Sequence, residues 1–423
     1  MVNHSLSLRL AALVALAGLV ACTDNAESPT ATSPAQTTTT VVHDDDGVLL
    51  LGLVVPRIGA GAEVGLSVRT AVTLAVTEIN EEGGVNGQKV RVVIREEGDD
   101  PATTVLAMQD LVQLDVDAII GPTSSVNTLG SLDVAVDAGV LTCSPTASAL
   151  ALDAFPDNGL FLRTMPSDSL QASAIARLVD DSGNSTAVVV YLDDPYGRPF
   201  AEEVRVALRA EGTGVTDFIG FTASEDSLAA TVEQVVEAQP GMVVVIADDT
   251  TGPAVITAID AAADSLDPSY VVNDSLRRPA AAAQPFGRLL AERIQGVSPR
   301  AYAGSTVFTE ALQTVDPDAT GLFAHNAYNC VNLIALAAQS VGTVDSSAIT
   351  AAIPAITIGG TSCASFPECS TAMADGRNID YDGPTGVLSI GSGGDPVSAV
   401  FEVFGFDATG RDVAIGTLVV GVG

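Results

Sequence analysis

From Val48 onwards the chain repeats one pattern, a short apolar run followed by a longer amphipathic one, and this pattern limits the fold more than any other feature. VLLLGLVV reads as a buried strand. In LSVRTAVTLAVTEIN, Leu66, Ala71, Leu74, Ala75 and Ile79 recur at spacings that share one helix face. GGVNG breaks that helix before KVRVVIRE, a second strand. TTVLAMQDLVQ is helical, DAIIG a strand, a helix runs through the 120s and 130s, and GVLTC is again a strand. Strands separated by helices of this length predict a mostly parallel sheet covered on both faces, the α/β class. After RTMPSD the alternation resumes with LQASAIARLVDD, TAVVVYLDD, RPFAEEVRVALRAEG, GMVVVIADD and GPAVITAIDAA, a second α/β lobe. Two lobes imply a cleft between them. Further on, AYNCVNLIALAAQS is helical, and VLSIG with SAVFEVFGFD is expected to form a terminal hairpin; periodicity does not assign these later pieces to a lobe.

Upstream of this body, residues 1–21 read as a signal peptide. Arg9 and the amino terminus supply a weak positive region, and Leu10 to Ala21 is an apolar run too short to span a bilayer as a mature helix. Cys22 follows the small residue Ala21, and LVAC resembles a bacterial lipoprotein processing site, which implies that Cys22 is lipidated and becomes the new amino terminus. The alternative is an ordinary signal peptide with a chance cysteine. Residues 22–47 carry Thr, Ser, Pro and Ala without apolar periodicity and read as an exposed tether. These features place the protein outside the cytoplasm, lipid-anchored to the cell membrane.

The formal net charge is -34, with 52 acidic residues against 18 basic ones, and Lys89 is the single lysine. Such a field repels nucleic acid and gives no attraction to anionic lipid. Roughly 380 residues remain after the tether, enough for two compact domains. Export makes disulfides possible for Cys143, Cys330, Cys363 and Cys369. Cys363 and Cys369, close together in CASFPEC, are expected to pair; Cys143 and Cys330 either pair across the fold or stay as buried thiols.

Ligands of open α/β sheets collect beyond the carboxyl ends of the strands. Two strands here end in hydroxyl-rich turns, DAIIG running into PTSSVNT and GVLTC into SPTAS, each followed by a helix. A hydroxyl there can cap the first turn, and the free N–H groups beside it can bind an anion. Ser125, Thr146, Ala147 and Ser148 are therefore candidates to receive a carboxylate, although plain helix capping uses the same residues. Tyr196, after the strand TAVVVYLDD, can close a pocket and donate one hydrogen bond. Arg57, at the end of the first strand, is a candidate second anion contact or else a solvated arginine.

The ordered set VVPRIGAGAEVGLSVRTAVTLAVTEINEEGGVNG, DDP, DAIIGPTSSVNT, GVLTCSPTAS, FLRTMPSDSLQASAIA, VVVYLDDPYGRPFAEEVRVAL and YDGPTGVLSIGSGGDPVSAVFEVFGFD resembles the branched-chain amino acid (Leu/Ile/Val-binding) type of substrate-binding protein of ABC importers, over roughly residues 48 to 410. The resemblance implies the type I periplasmic binding protein fold, two Rossmann-like lobes with three crossovers and a central ligand cleft. It assigns 48–164 plus 308–386 to lobe 1 and 165–307 plus 387–423 to lobe 2. It implies ligand contacts at Ser125 in GPTSS, at Thr146, Ala147 and Ser148 in SPTAS, and at Tyr196 in DDPYG. It further implies a monomer that captures an amino acid or similar small carboxylate and delivers it to ABC permease subunits, with no cofactor and no metal. The same fold also serves as the sensing part of receptors.

One departure bears on the ligand. The family's amino acid binders carry an acidic residue and a glycine where this chain reads Ala303-Gly304 in RAYAGSTVFT. An unpaired ammonium in a closed cleft is costly. Asp194, Asp248 and Asp249 each follow a strand of the second lobe and are open as substitutes.

Enzyme readings find little support. His325 is the one histidine beyond the tether, and there is no GxSxG elbow, no CxxC and no histidine cluster fit for zinc. GAGAEVG has the spacing G-x-G-x-x-x-G, which is not the dinucleotide fingerprint. The leader gives the first prediction. Metabolic labelling with a fatty acid should mark the wild-type protein and not Cys22→Ser, which should be released or mislocalised while still folded; a wild type that takes up no label contradicts it.

Overall fold

The computed structural model describes residues 46–59, 61–263, 266–277, 286–300, 305–386, 388–407 and 411–421. The proposed leader, Cys22 and most of the tether lie outside them. Five parallel strands, β1 (Leu50–Val55), β2 (Arg91–Glu96), β3 (Ala118–Ile120), β4 (Leu141–Ser144) and β5 (Phe161–Arg163), form the first sheet in the order β2-β1-β3-β4-β5. Helices α1 (Ala62–Glu81), α2 (Pro101–Gln113) and α3 (Ser125–Ala138) link its first four strands. The run LLGLVV is apolar on both sides of the pleat because both faces are covered: Leu51 and Leu53 pack with α1, while Val54 packs with α2 and α3.

The glycines of GAGAEVG serve packing. A Cβ on Gly65 would lie 1.7 Å from the Pro56 carbonyl oxygen, so only glycine lets the start of α1 close against the end of β1.

The chain leaves the first sheet after β5. It builds α4 (Asp168–Asp181), β6 (Thr186–Leu192), α5 (Gly197–Ala210), β7 (Gly214–Phe221), α6 (Glu225–Ala238), β8 (Met242–Ile246), α7 (Thr251–Ala263), β9 (Ser269–Val272), α8 (Arg288–Ala291) and β10 (Ile294–Pro299). It then returns: α9 (Thr306–Val315), α10 (Ala324–Val341), α11 (Ser346–Ile356), β11 (Thr361–Cys363), α12 (Phe366–Ala374) and β12 (Ile379–Tyr381) contribute side chains to the core over the first sheet. A third passage leads to β13 (Ser398–Phe406) and β14 (Asp412–Gly421), which complete a seven-stranded sheet in the order β14-β13-β10-β9-β8-β6-β7. Sheet membership thus changes three times, within 164–167, 300–305 and 382–397. The helix AYNCVNLIALAAQS, unassigned from periodicity, belongs to the first sheet's core as α10.

The expected terminal hairpin is corrected. SAVFEVFGFD does form one arm, but its partner is β14, paired antiparallel from Ser398↔Gly421 to Phe406↔Asp412. VLSIG contributes one isolated bridge, Ile390↔Pro396. The strand β14 escapes a pattern reading because it is a largely exposed edge, with glycine and alanine among its apolar residues. Among the described residues no helix is long and apolar enough to cross a membrane.

Both cysteine pairs are disulfides. Cys363–Cys369 closes a short loop, and Cys143–Cys330 joins β4 to α10 across 187 residues of sequence. The long bridge covalently ties the first sheet to a helix of its core that returns only after the chain has built β6 to β10. Replacing Cys143 and Cys330 together by alanine should lower stability by about 2–5 kcal/mol in guanidinium unfolding, and replacing the short-loop pair by less, because a short loop removes less entropy from the unfolded chain. Equal losses for the two pairs would contradict this ranking.

Candidate functional site

The two hydroxyl-rich turns lie side by side because β3 and β4 are parallel neighbours. Gly121 starts the first turn at φ +91, where a Cβ would meet the Val54 carbonyl oxygen at 2.1 Å. The start of α3 was expected to offer free N–H groups to an anion. It is instead occupied from within: the buried Glu97 carboxylate accepts from the backbone N–H of Thr123 (2.8 Å) and Ser124 (2.9 Å), from the Thr123 hydroxyl (2.7 Å) and from the Asn127 amide (3.1 Å). Glu97 thus takes the N–H groups just before and at the cap, and Ser124 Oγ takes that of Asn127 at 3.4 Å, so the helix start is partly occupied from within before any ligand arrives.

The hydroxyls join one turn to the other. Ser125 Oγ accepts from the backbone N–H of Ser148 (3.1 Å) and Ala149 (3.3 Å), and Thr146 Oγ1 donates to the Thr123 carbonyl (2.6 Å). A serine oxygen that accepts two N–H bonds still has its own proton, so Ser125 retains one donor for a ligand. Ala147 is fully buried; its N–H donates to Ser144 Oγ at 3.1 Å.

Behind the second turn sits Arg163, a residue that the pattern reading passed over inside FLRTMPSD. It is 0% exposed, and its guanidinium donates to Asp153, to Asp395 (2.6 Å) and to the carbonyls of Ala147 (3.4 Å) and Ala149 (3.3 Å).

Two adjoining cavities open where residues of the two sheets face each other. The larger, about 430 Å³, has Glu63, Thr146 and Ser148 on one wall and Asp274 and Arg277 on the other, with Phe323 at its side. The smaller, about 220 Å³ and mostly apolar, is lined by Ser125, Leu150, Asp168, Tyr196 and Phe200. The Ser148 hydroxyl bonds to Asp168 between them. The structure therefore divides the expected contacts, Thr146 and Ser148 on one cavity and Ser125 and Tyr196 on the other. The Tyr196 ring packs edge-on against Phe200 at 5.8 Å. The residue as a whole stays open at 41% exposure, but its hydroxyl is enclosed and faces Asn273, Asp168 and Asp274. Burial first, then those two carboxylates, raise its pKa.

Asp274 follows the short strand β9, and Gln171 donates to it at 2.9 Å. Burial raises its pKa. Asp168 is 2% exposed, and burial, followed by the charge of Asp274, pushes it to about 8. Asp274 is thus an acid across the larger cavity from Thr146 and Ser148, in a lining that also holds Glu63 and the Arg277-paired Asp412; sequence reasoning misses it because SYVV is too brief a run to announce a strand.

The other candidates lie elsewhere. Asp194 accepts from the N–H of Tyr196 and Gly197, and Asp248 from the N–H of Thr250 and Thr251, so both order the starts of helices. Asp249 accepts from the Thr250 hydroxyl at 3.2 Å, and Arg57 pairs with Glu96 at 3.0 Å; neither lines a cavity described here. Ala303 lies outside the described residues. Arg277, the cation of the larger cavity, is held by Glu402 and Asp412, each at 2.8 Å. No group of three or more His, Cys, Asp and Glu side chains among the described residues is placed to hold a metal ion.

A pH dependence follows from Asp168. The folded chain keeps it protonated to about pH 8, whereas an unfolded aspartate ionises near about 3.9. The folded state then binds the extra proton, so this group makes stability fall as pH rises from about 4 to about 8, and level off above. Urea unfolding of the ligand-free protein should show that Asp168→Asn gains stability relative to wild type across this window; a difference that does not change with pH contradicts it.

Over 365 residues the chain is 27% identical to the chemotactic signal transduction system substrate-binding protein BasB of Halobacterium salinarum, covering 82% of this chain and 84% of that protein. Over 314 residues it is 25% identical to the leucine-, isoleucine-, valine-, threonine-, and alanine-binding protein of Pseudomonas aeruginosa, covering 73% and 82%. An ABC transporter substrate-binding protein from Desulfitobacterium hafniense shares the fold with a TM-score of 0.67 at 18% identity, over 87% of this chain and 100% of that one. The periplasmic binding protein family matches residues 49–380, and with most of its length so matched the chain belongs to this family of extracytoplasmic solute-binding proteins, which bind ligands and are not enzymes.

Proposed function

We propose that this protein is the monomeric substrate-binding component of an ABC importer, held at the membrane by a lipid on Cys22 and taking a small amino acid. The observation that carries the reading is the larger cavity, with the Thr146 and Ser148 hydroxyls on one wall and Asp274 on the other. A ligand carboxylate placed between the two cavities takes the free proton of Ser125 and one donor from the hydrogen-bonded Ser148–Asp168 pair, which is available because Asp168 is protonated, where an ionised one would repel. Asp274 receives the ammonium, and the incoming charge favours its ionised form against the burial that raises its pKa. Tyr196 closes over the ligand. In this reading 48–164 plus 308–386 and 165–307 plus 387–423 move as two lobes about the three passages between the sheets, and the ligand favours the closed form because it touches both. The tether lets the cleft reach the permease from a fixed anchor.

A second reading is supported by the relative from Halobacterium salinarum, named for chemotactic signal transduction. There the closed form would engage a transducer instead of a permease. A strain lacking the gene loses uptake of the ligand in the first case and only the taxis response to it in the second.

The ligand is identified by mass spectrometry of the small molecule that co-purifies. In calorimetry with that molecule, Ser125→Ala should weaken binding by about one to two decades. Asp274→Asn should weaken it at least about 30-fold if the ligand carries an ammonium. Unchanged affinity in both variants, or a ligand without an anionic group, overturns the carboxylate assignment. Loss in Ser125→Ala alone redirects it to a carboxylic acid without an ammonium.

A further inference from the structure

Behind the ligand cleft, where all three passages between the sheets run together, lies a third and smaller cavity of about 50 Å³. The first passage contributes Thr164, the second Arg300 with Pro299 of β10 just before it, the third Pro396 with Ser398 of β13 just after it, and α10 supplies His325 and Asn329. A space of this size admits a few waters or one halide ion. Met165 and Pro299 line both this cavity and the larger ligand cavity, so a single layer of side chains separates them.

The lining has a consistent sign. In a chain of 52 acidic residues, no carboxylate among the described residues lines this space. Arg300 does, and among the described residues it has no ion-pair partner. His325 is 4% exposed and its Nδ1 has no hydrogen-bond partner, a costly omission for a buried polar atom. Burial and then the charge of Arg300 drive its pKa to about 3, so it is a neutral imidazole that can present Nδ1–H as a donor. The oxygen of Asn329 accepts from the Tyr381 hydroxyl at 2.9 Å, which leaves its amide N–H groups as what it can offer. His325 and Asn329 stand in the first two turns of α10, an 18-residue helix whose positive end is therefore at this cavity.

We propose that this cavity is a binding site for a small inorganic anion of the halide class, held by Arg300, the unpartnered Nδ1 of His325 and the amide of Asn329. An anion there would bond at once to the second passage and to α10, which carries the first sheet's core, and would fix their relative placement. It braces the hinge from behind the ligand without touching the ligand. The site is independent of what occupies the cleft, and its test needs no ligand.

The test uses ligand-free wild type and Arg300→Gln at constant ionic strength, which removes general screening of an acidic surface as a cause. Replacing gluconate by chloride or bromide should raise the wild-type melting temperature saturably by about 1–3 °C, and Arg300→Gln should lose that response. A wild-type crystal grown in bromide should show an anomalous peak beside Arg300 and His325. Water alone in the cavity at saturating bromide, or an equal halide response in Arg300→Gln, overturns the proposal. Should Arg300→Gln fail to fold, the bromide peak in the wild-type crystal decides the matter by itself.

Discussion

A guanidinium shut away from water, that of Arg163, sets the geometry on which the candidate site depends. Its N–H groups reach Asp153, Asp395 and the carbonyls of Ala147 and Ala149, while its backbone N–H donates to Gly394 at 3.0 Å. A charge in that position is tolerable only when it is fully bonded, and losing one partner of such a set costs about 3–5 kcal/mol. The partners come from three places: the SPTAS turn, two of whose residues line the larger cavity, the segment just after it, and the third passage between the sheets. One residue therefore holds the SPTAS turn in place and anchors the chain on its way to β13.

Around that anchor the cleft is built from hydroxyls and acids in an unusual division of labour. Glu97 takes the N–H groups of Thr123 and Ser124, and the hydroxyls that line the cavities from the two turns are those of Ser125, Thr146 and Ser148. The cation of the larger cavity, Arg277, is neutralised by two carboxylates of the terminal hairpin. What remains unneutralised is acidic. Asp168 and Asp274 raise each other's cost of ionisation, and that shared cost is what a ligand ammonium would relieve. The net charge of the chain as a whole says nothing of this, since it is spread mainly over solvated surface.

Much of the architecture could be read from pattern because covered sheets demand it. Runs such as LLGLVV and VVVYL are apolar on both faces, and helices such as α1 show one buried stripe. The edge strand β14 and the short β9 were not legible, one because it is exposed and the other because four residues carry no period. The candidate site was legible in half. Ser125, Thr146, Ser148 and Tyr196 line the cavities, but Asp194 and Asp248 are helix caps, and Asp274 and Arg163 went unnoticed.

By itself the sequence determined the α/β class, the existence of two sheets, and the hydroxyl turns at the ends of β3 and β4, since periodicity and capping chemistry are local. Only the tertiary structure decided which hydroxyls keep a free proton, which acids face them, and that Cys143 meets Cys330. Those facts join residues far apart in sequence, brought together by three passages between the sheets. A carboxylate beside a helix start reads the same whether it caps that helix or faces a ligand, and the difference lies in where the rest of the chain returns.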